Sequence, residues 1–106
     1  MYEQIFYDRK GNSISMEDWS KLLRNKIIKQ DRVGNFFIST VWLGIDLGLD
    51  PREDCAPIIF ETMVFDRSED ENSFIDVHME RYSTEEEAIL GHSLITKIYE
   101  NKENGT

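Results

Sequence analysis

The predicted architecture follows from residues 35–43, Asn35-Phe36-Phe37-Ile38-Ser39-Thr40-Val41-Trp42-Leu43. Aromatic and β-branched side chains dominate this segment, and such residues favour a β-strand. Because side chains alternate between the two faces of a strand, the even-numbered residues share one face and the odd-numbered residues share the other. Both faces are largely apolar, which indicates a strand in the middle of a covered sheet.

Further strands are predicted on both sides of this segment. Residues 26–30 are expected to form a hairpin with it through Asp31-Arg32-Val33-Gly34, because Gly34 can adopt the positive φ that a tight reversal often requires. Three more runs of aromatic and β-branched residues are delimited by turn-forming or charged segments. They are the predicted strands 2–7, 58–65 and 73–82. Residues 44–57 contain the two prolines together with glycines and acidic side chains, so they form the longest predicted loop.

Two helices are predicted from capping signals. Ser15 precedes acidic residues and is expected to cap a short helix. Later in the chain, Ser83 or Thr84 is expected to cap a second helix, because a glutamate three residues beyond the cap can bond back to it. An apolar stripe favours packing of this second helix on the sheet. The members of the stripe are Ala88, Gly91, Ile95 and Ile98, flanked by Leu94 and Tyr99.

Together these elements predict an α+β fold. It consists of an antiparallel sheet of about four to five strands, a short N-terminal helix and a C-terminal amphipathic helix packed on one face. The 106 residues suffice for a single core. We assign residues 1–100 to one domain and expect residues 101–106 to be a frayed tail.

The charge balance restricts the classes of partner. The chain has 12 Lys and Arg against 21 Asp and Glu, for a formal net charge of −9. Such a surface repels phosphate backbones, so direct nucleic-acid binding is not expected. The same field attracts a basic protein surface, and Asp50, Glu53 and Asp54 in the predicted loop are the candidate partner contacts.

The sequence also suggests a compartment. No segment approaches the roughly 20 apolar residues of a membrane-spanning helix, and the first residues lack the pattern of a secretory signal. Cys55 is the only cysteine, which excludes an intrachain disulfide and fits a reducing environment. We therefore expect a cytoplasmic protein with no membrane partner.

Motifs of known enzyme classes are missing from the sequence. It contains no glycine-rich phosphate loop, paired-cysteine zinc spacing or nucleophile elbow, and the acidic loop lacks the ligand pattern of a calcium site. We therefore expect a protein that is not an enzyme and that uses no cofactor or metal. A small cysteine-dependent enzyme stays open as an alternative, since Cys55 and either His78 or His92 need only meet in space.

A small-ligand site is another alternative. Glu61 lies in an apolar run, where an ionised carboxylate needs a partner, and Arg81 on the next predicted strand is the natural candidate. Trp42, with Thr40 on its face and Asp46 just beyond, could offer a ring on which a nucleotide base stacks. The simpler interpretations are a core tryptophan and an ordinary cross-strand ion pair.

Three segments together resemble a family of small phage and prophage proteins. They are Ser39-Thr40-Val41-Trp42-Leu43-Gly44-Ile45-Asp46, then Pro57-Ile58-Ile59-Phe60-Glu61-Thr62-Met63-Val64-Phe65, and Arg81-Tyr82-Ser83-Thr84-Glu85-Glu86-Glu87-Ala88 with Gly91-His92. The resemblance rests on the order and spacing of all three motifs. It implies a phage setting in the cytosol of a host, and it carries over no catalytic residue.

Our leading hypothesis is a phage-encoded, non-enzymatic binding protein that acts on a host component, such as a defence system, through protein contacts. The first alternative is a small-ligand binder that sequesters a nucleotide immune signal. The second is the cysteine-dependent enzyme. A homo-oligomer is compatible with each hypothesis.

Overall fold

Six strands and two α-helices form from residues 6–46, 57–70, 72 and 75–103, which are the residues that this computed structural model describes. In chain order they are β1 (Phe6–Tyr7), β2 (Ser13–Ile14), α1 (Met16–Leu22), β3 (Ile27–Val33), β4 (Phe36–Trp42), β5 (Phe60–Asp66), β6 (Ile75–Tyr82) and α2 (Glu85–Glu103). β3-β4-β5-β6 is an antiparallel four-stranded sheet, and β1-β2 is a small separate one. The predicted α+β class is confirmed.

The hairpin of β3 and β4 has a tighter turn than the sequence predicted. Gly34 and Asn35 join the two strands, and Gly34 has a φ of 57°, as in hairpin turns whose first central residue is glycine. Asp31, Arg32 and Val33, which we expected in the turn, instead pair with β4. The strand can continue to Val33 because glycine reaches a positive φ without steric cost, so two residues are enough to reverse the chain.

The pairing register gives the large sheet two different faces, because directly opposed residues of neighbouring strands project to the same side. One side is completely buried along β4 and β5, at Ile38, Thr40, Trp42, Phe60, Thr62 and Val64. Helix α2 packs on this side, which we call the helix face. The opposite side, which we call the open face, has no described helix or strand packed against it. Our expectation that β4 would be covered on both faces is therefore wrong for the described residues.

Helix α2 packs through a stripe that differs from the predicted one. Its buried residues are Ala88, Gly91, His92, Ile95 and Tyr99. Leu94 and Ile98 are instead 53% and 47% exposed. The difference arises because the Tyr99 ring packs 4.6 Å from that of Phe36, which turns this side of the helix toward the sheet. The helix continues to Glu103, so residues 101–103, which we expected to fray, are helical.

Both predicted helix caps form. The backbone N–H of Glu87 donates to Thr84 Oγ1, and the backbone N–H of Thr84 donates to Glu87 Oε1, each at 3.1 Å. This reciprocal pair is a capping box, and it identifies Thr84 as the cap of α2. At the start of α1, Ser15 Oγ accepts a hydrogen bond from the Asp18 N–H at 3.1 Å.

The N-terminal elements close one end of the sheet. The indole N–H of Trp19 in α1 donates to the carbonyl oxygen of Leu43 at 2.9 Å, and the Trp19 ring lies 4.7 Å from that of Phe6. Trp19 also packs against the buried cluster that contains Trp42 and Phe60. These contacts place the short helix beside the end of β4, where it extends the core beyond the area that α2 covers.

Candidate functional site

The five residues predicted to bind a ligand do not come together in one pocket. Thr40 and Trp42 lie on the helix face and have no exposed surface. Glu61 and Arg81 lie on the open face, and Asp46 is half-buried beyond the end of β4. A ligand cannot stack on Trp42 without displacing the core, so the simpler interpretation of a core tryptophan is confirmed.

Glu61 and Arg81 form the predicted cross-strand ion pair. They are directly opposed on β5 and β6, and Arg81 Nε donates to Glu61 Oε2 at 3.0 Å. Their side chains are 14% and 27% exposed, so the pair is partly shielded from water. On the neighbouring strands of the open face, Ile27 and Val41 lie in register with this ion pair. The two charges therefore lie at the border of an apolar surface.

A buried chain of hydrogen bonds, which the sequence did not predict, crosses the helix face. His92 Nε2 lies 2.7 Å from Asp31 Oδ2, and His92 Nδ1 lies 2.6 Å from Thr40 Oγ1. Thr40 Oγ1 is in turn 2.5 Å from Thr62 Oγ1. The chain thus links α2 to the three strands β3, β4 and β5. The sequence contained a signal for the burial of His92. This residue follows Ala88 by four positions and precedes Tyr99 by seven, and helical spacing places all three on the same side of α2.

The components of this chain resemble those of a hydrolytic triad, which combines a carboxylate, an imidazole and a hydroxyl group. A nucleophile must reach its substrate, however, and both threonines and His92 have no exposed surface. The arrangement satisfies buried polar groups that would otherwise be costly. We conclude that it fixes the position of α2 on the sheet.

The remaining candidates are only partly described. Asp50, Glu53, Asp54 and Cys55 lie outside the described residues, so the proposed partner contacts and the cysteine-based alternative stay predictions. His78 lies 3.3 Å from Glu80 Oε1 and contacts the Tyr99 ring by its edge.

The open face carries a row of aromatic and charged side chains at the hairpin end. Across the sheet, this row consists of Arg32, Phe37, Phe65 and Asp76. The two phenylalanine rings are 6.4 Å apart and nearly parallel, at 25°. The guanidinium carbon of Arg67, just after β5, lies 4.2 Å from the centre of the Phe37 ring, within the range of a cation–π interaction.

A row of polar and methionine side chains separates the aromatic row from the ion pair. It consists of Gln30, Ser39, Met63 and Met79, in the order of the strands. Gln30 Nε2 donates to Ser39 Oγ at 3.1 Å, and Met79 is 44% exposed. Methionine side chains adapt their shape to a partner, and their sulfur atoms contact aromatic rings favourably.

Among the described residues, the charges of the open face differ in sign from the net charge of the chain. Arg32, Arg67 and Arg81 oppose Glu61 and Asp76, which gives 3 − 2 = +1, whereas the net charge of the whole chain is −9. The face is therefore an apolar surface with a small excess of guanidinium groups. It can contact a partner through rings and methionines.

A cavity of about 520 Å³ lies near the end of α1. Arg9, Lys10, Leu22 and Asn25 are among the residues that line it. The Arg9 guanidinium donates to the Asn25 carbonyl oxygen and lies 3.6 Å from Glu85 Oε1. Arg9 therefore joins the turn after β1 to the segment after α1 and to the start of α2, and we assign the cavity no ligand.

The part of the chain that the structure describes contains no group of three or more His, Cys, Asp or Glu side chains that could hold a metal ion. Nor does it contain a helix long and apolar enough to cross a membrane. Comparisons of the chain with protein-family models, curated proteins and solved structures found no match.

Proposed function

We propose that the protein is a non-enzymatic binding protein that acts through protein contacts, with the open face as its contact surface. The observation that carries this proposal is the composition of that face. Aromatic residues, methionine and arginine are the types enriched in protein interfaces, and each of its three rows contains at least one of them. The buried hydrogen-bond chain does not compete as a functional site, because no substrate reaches it.

The rings and methionines of the open face indicate the chemistry of its partner. They favour a partner surface that is rich in apolar side chains. A partner with a basic surface is instead the expectation for Asp50, Glu53 and Asp54. The two contacts involve different parts of the chain, so one partner with both kinds of surface could engage both.

The setting of this function is proposed from the sequence alone. The resemblance of three motifs to phage and prophage proteins supports a partner in the host cell. A host defence component is the partner that this setting favours. The small size of the chain and its lack of enzyme motifs agree with inhibition by occupation of a surface.

Comparison of two exposed apolar positions tests the proposal. Met79→Glu places a carboxylate in the middle row of the open face, on the edge strand β6, whereas Ile89→Glu makes the same change on α2, at a side chain that is 48% exposed. Host proteins captured by the wild-type chain would be identified and purified, and their affinity would be measured for all three chains. We expect Met79→Glu to weaken binding at least about tenfold and Ile89→Glu to leave it unchanged. Equal affinities would exclude the open face.

The nucleotide alternative has its own test. A ligand present at 100 times its dissociation constant adds about 2.7 kcal/mol to the stability of the folded state. Melting curves with a panel of nucleotides would therefore reveal a nucleotide binder as a raised melting temperature. The protein-contact proposal predicts no shift with any of them.

A further inference from the structure

The outward side of α2 carries an apolar stripe that the core does not use. Leu90, Leu94 and Ile98 are 61%, 53% and 47% exposed. They follow one another at intervals of four residues, so they form one ridge along the helix. We call them the outer stripe. A folded chain gains nothing from exposing three large aliphatic side chains in a line, and such ridges mark contact surfaces.

The charges beside the outer stripe are separated by sign. Glu86 and Glu87 flank it near the start of the helix, and Lys97 and Lys102 flank it near the end. Glu85 and Glu103 are each nine residues from Leu94. Because a helix turns about 100° per residue, these two side chains project to the opposite side of the helix. The stripe is therefore acidic at one end and basic at the other.

This separation of charge fits a second copy of the same helix in the antiparallel direction. If Leu94 lies on a two-fold axis, residue n of one copy is level with residue 188 − n of the other, because 2 × 94 = 188. Leu90 then faces Ile98 of the second copy. Glu87 lies within one residue, about 1.5 Å along the axis, of the level of Lys102 of the second copy. A parallel pair would instead bring glutamates against glutamates and align the helix dipoles unfavourably.

We propose that the outer stripe of α2 is a homodimer interface in which two copies pack α2 antiparallel about a two-fold axis at Leu94. Such an interface is isologous, since each copy contributes the same surface. It leaves the open face of each copy uncovered, because α2 and the open face lie on opposite sides of the sheet. The dimer does not depend on the proposed function, and it is measured without any partner.

Cysteine cross-linking tests the register of this dimer. In a Cys55→Ser background, Leu94→Cys places two thiols at the two-fold axis, where the Cα atoms can come within the roughly 4.4–6.8 Å that a disulfide requires. Ser93→Cys is the matched control, since this exposed neighbour projects about 100° away. After oxidation we expect a covalent dimer for Leu94→Cys only. Cross-linking of both variants to the same extent, or of neither, would overturn the proposal.

Sedimentation over a concentration series gives an independent readout on chains without added cysteines. Leu94→Lys changes an exposed residue, so circular dichroism should show an unchanged fold while the dimer dissociates. The double variant Lys97→Glu and Lys102→Glu makes both ends of the stripe acidic, and we expect at least about a tenfold weaker dimer. A wild-type chain that stays monomeric, a partner protein in place of the second copy, or a dimer insensitive to these changes would each refute the assignment.

Discussion

His92 Nε2 lies 2.7 Å from Asp31 Oδ2 and so ties helix α2 to the edge strand β3. The histidine side chain is 1% exposed, whereas that of the aspartate is 38% exposed. The other ring nitrogen lies 2.6 Å from Thr40 Oγ1, so both polar atoms of the ring have partners. His92 is therefore the buried polar side chain of α2 that bonds this helix to the sheet.

Replacement of this histidine is expected to destabilise the fold. His92→Leu should lower the free energy of unfolding by about 1–3 kcal/mol, because Thr40 stays buried with one partner fewer. Urea unfolding of His92→Leu, Asp31→Ala and the double variant would give the coupling energy between the two residues. Strictly additive losses would show that the two side chains do not stabilise each other.

The capping box at Thr84 gives a second prediction. Thr84→Ala removes the hydroxyl that accepts from the Glu87 N–H, and the expected loss is about 1 kcal/mol. For a domain of this size, such a loss lowers the melting temperature by about 4–8 °C. Thr84→Ser keeps the hydroxyl and should melt close to the wild type. A similar decrease for both variants would assign the effect to the threonine methyl group.

Gly91 is expected to resist substitution by alanine, although alanine favours helices by about 1 kcal/mol over glycine. A methyl group at this position would overlap the ring and hydroxyl of Tyr82. Overpacking of this kind costs about 1–3 kcal/mol, so Gly91→Ala should lower the melting temperature. In a Tyr82→Leu background, Gly91→Ala should lower the melting temperature less than it does in the wild-type chain. A stabilised Gly91→Ala chain would contradict the close contact.

Stability is expected to fall at alkaline pH. Burial raises the pKa of Tyr99 above its ordinary value of 10.0. As the pH rises past 10, the unfolded chain loses this phenol proton before the folded chain does. The free energy of unfolding therefore falls with pH between the unfolded and the folded pKa, and it levels off above the folded pKa. Tyr99→Phe keeps the ring and should flatten this decline in urea midpoints measured from pH 9 to pH 11. An unchanged slope would show that other groups cause it.

Much of the fold was predictable because its signals are local. The alternation around Ile38, the caps at Ser15 and Thr84, and the reversal at Gly34 each depend on a few neighbouring residues. The length of the turn at Gly34 was not predictable, since Val33 is compatible with both a strand and a turn. Its place in β3 depends on pairing with Phe36.

The candidate sites were less predictable because they depend on residues far apart in the sequence. Asp31 and His92 are 61 positions apart, and only the packing of α2 brings them together. The pairing of Glu61 with Arg81 was predictable, because successive antiparallel strands place such residues opposite each other. The open face could not be predicted, since the apolar pattern of β4 is the same for a sheet covered on one side or on both.

The order of the elements along the chain affects how the protein folds during synthesis. Helix α2 follows all four strands of its sheet, and polypeptides are made from the N-terminus at about 5–20 residues per second. The strands therefore leave the ribosome before the helix that covers Ile38 and Val64. A nascent chain stalled before residue 85 presents an uncovered apolar sheet surface. Chaperones that hold apolar segments are expected to bind such a chain until His92 reaches Asp31.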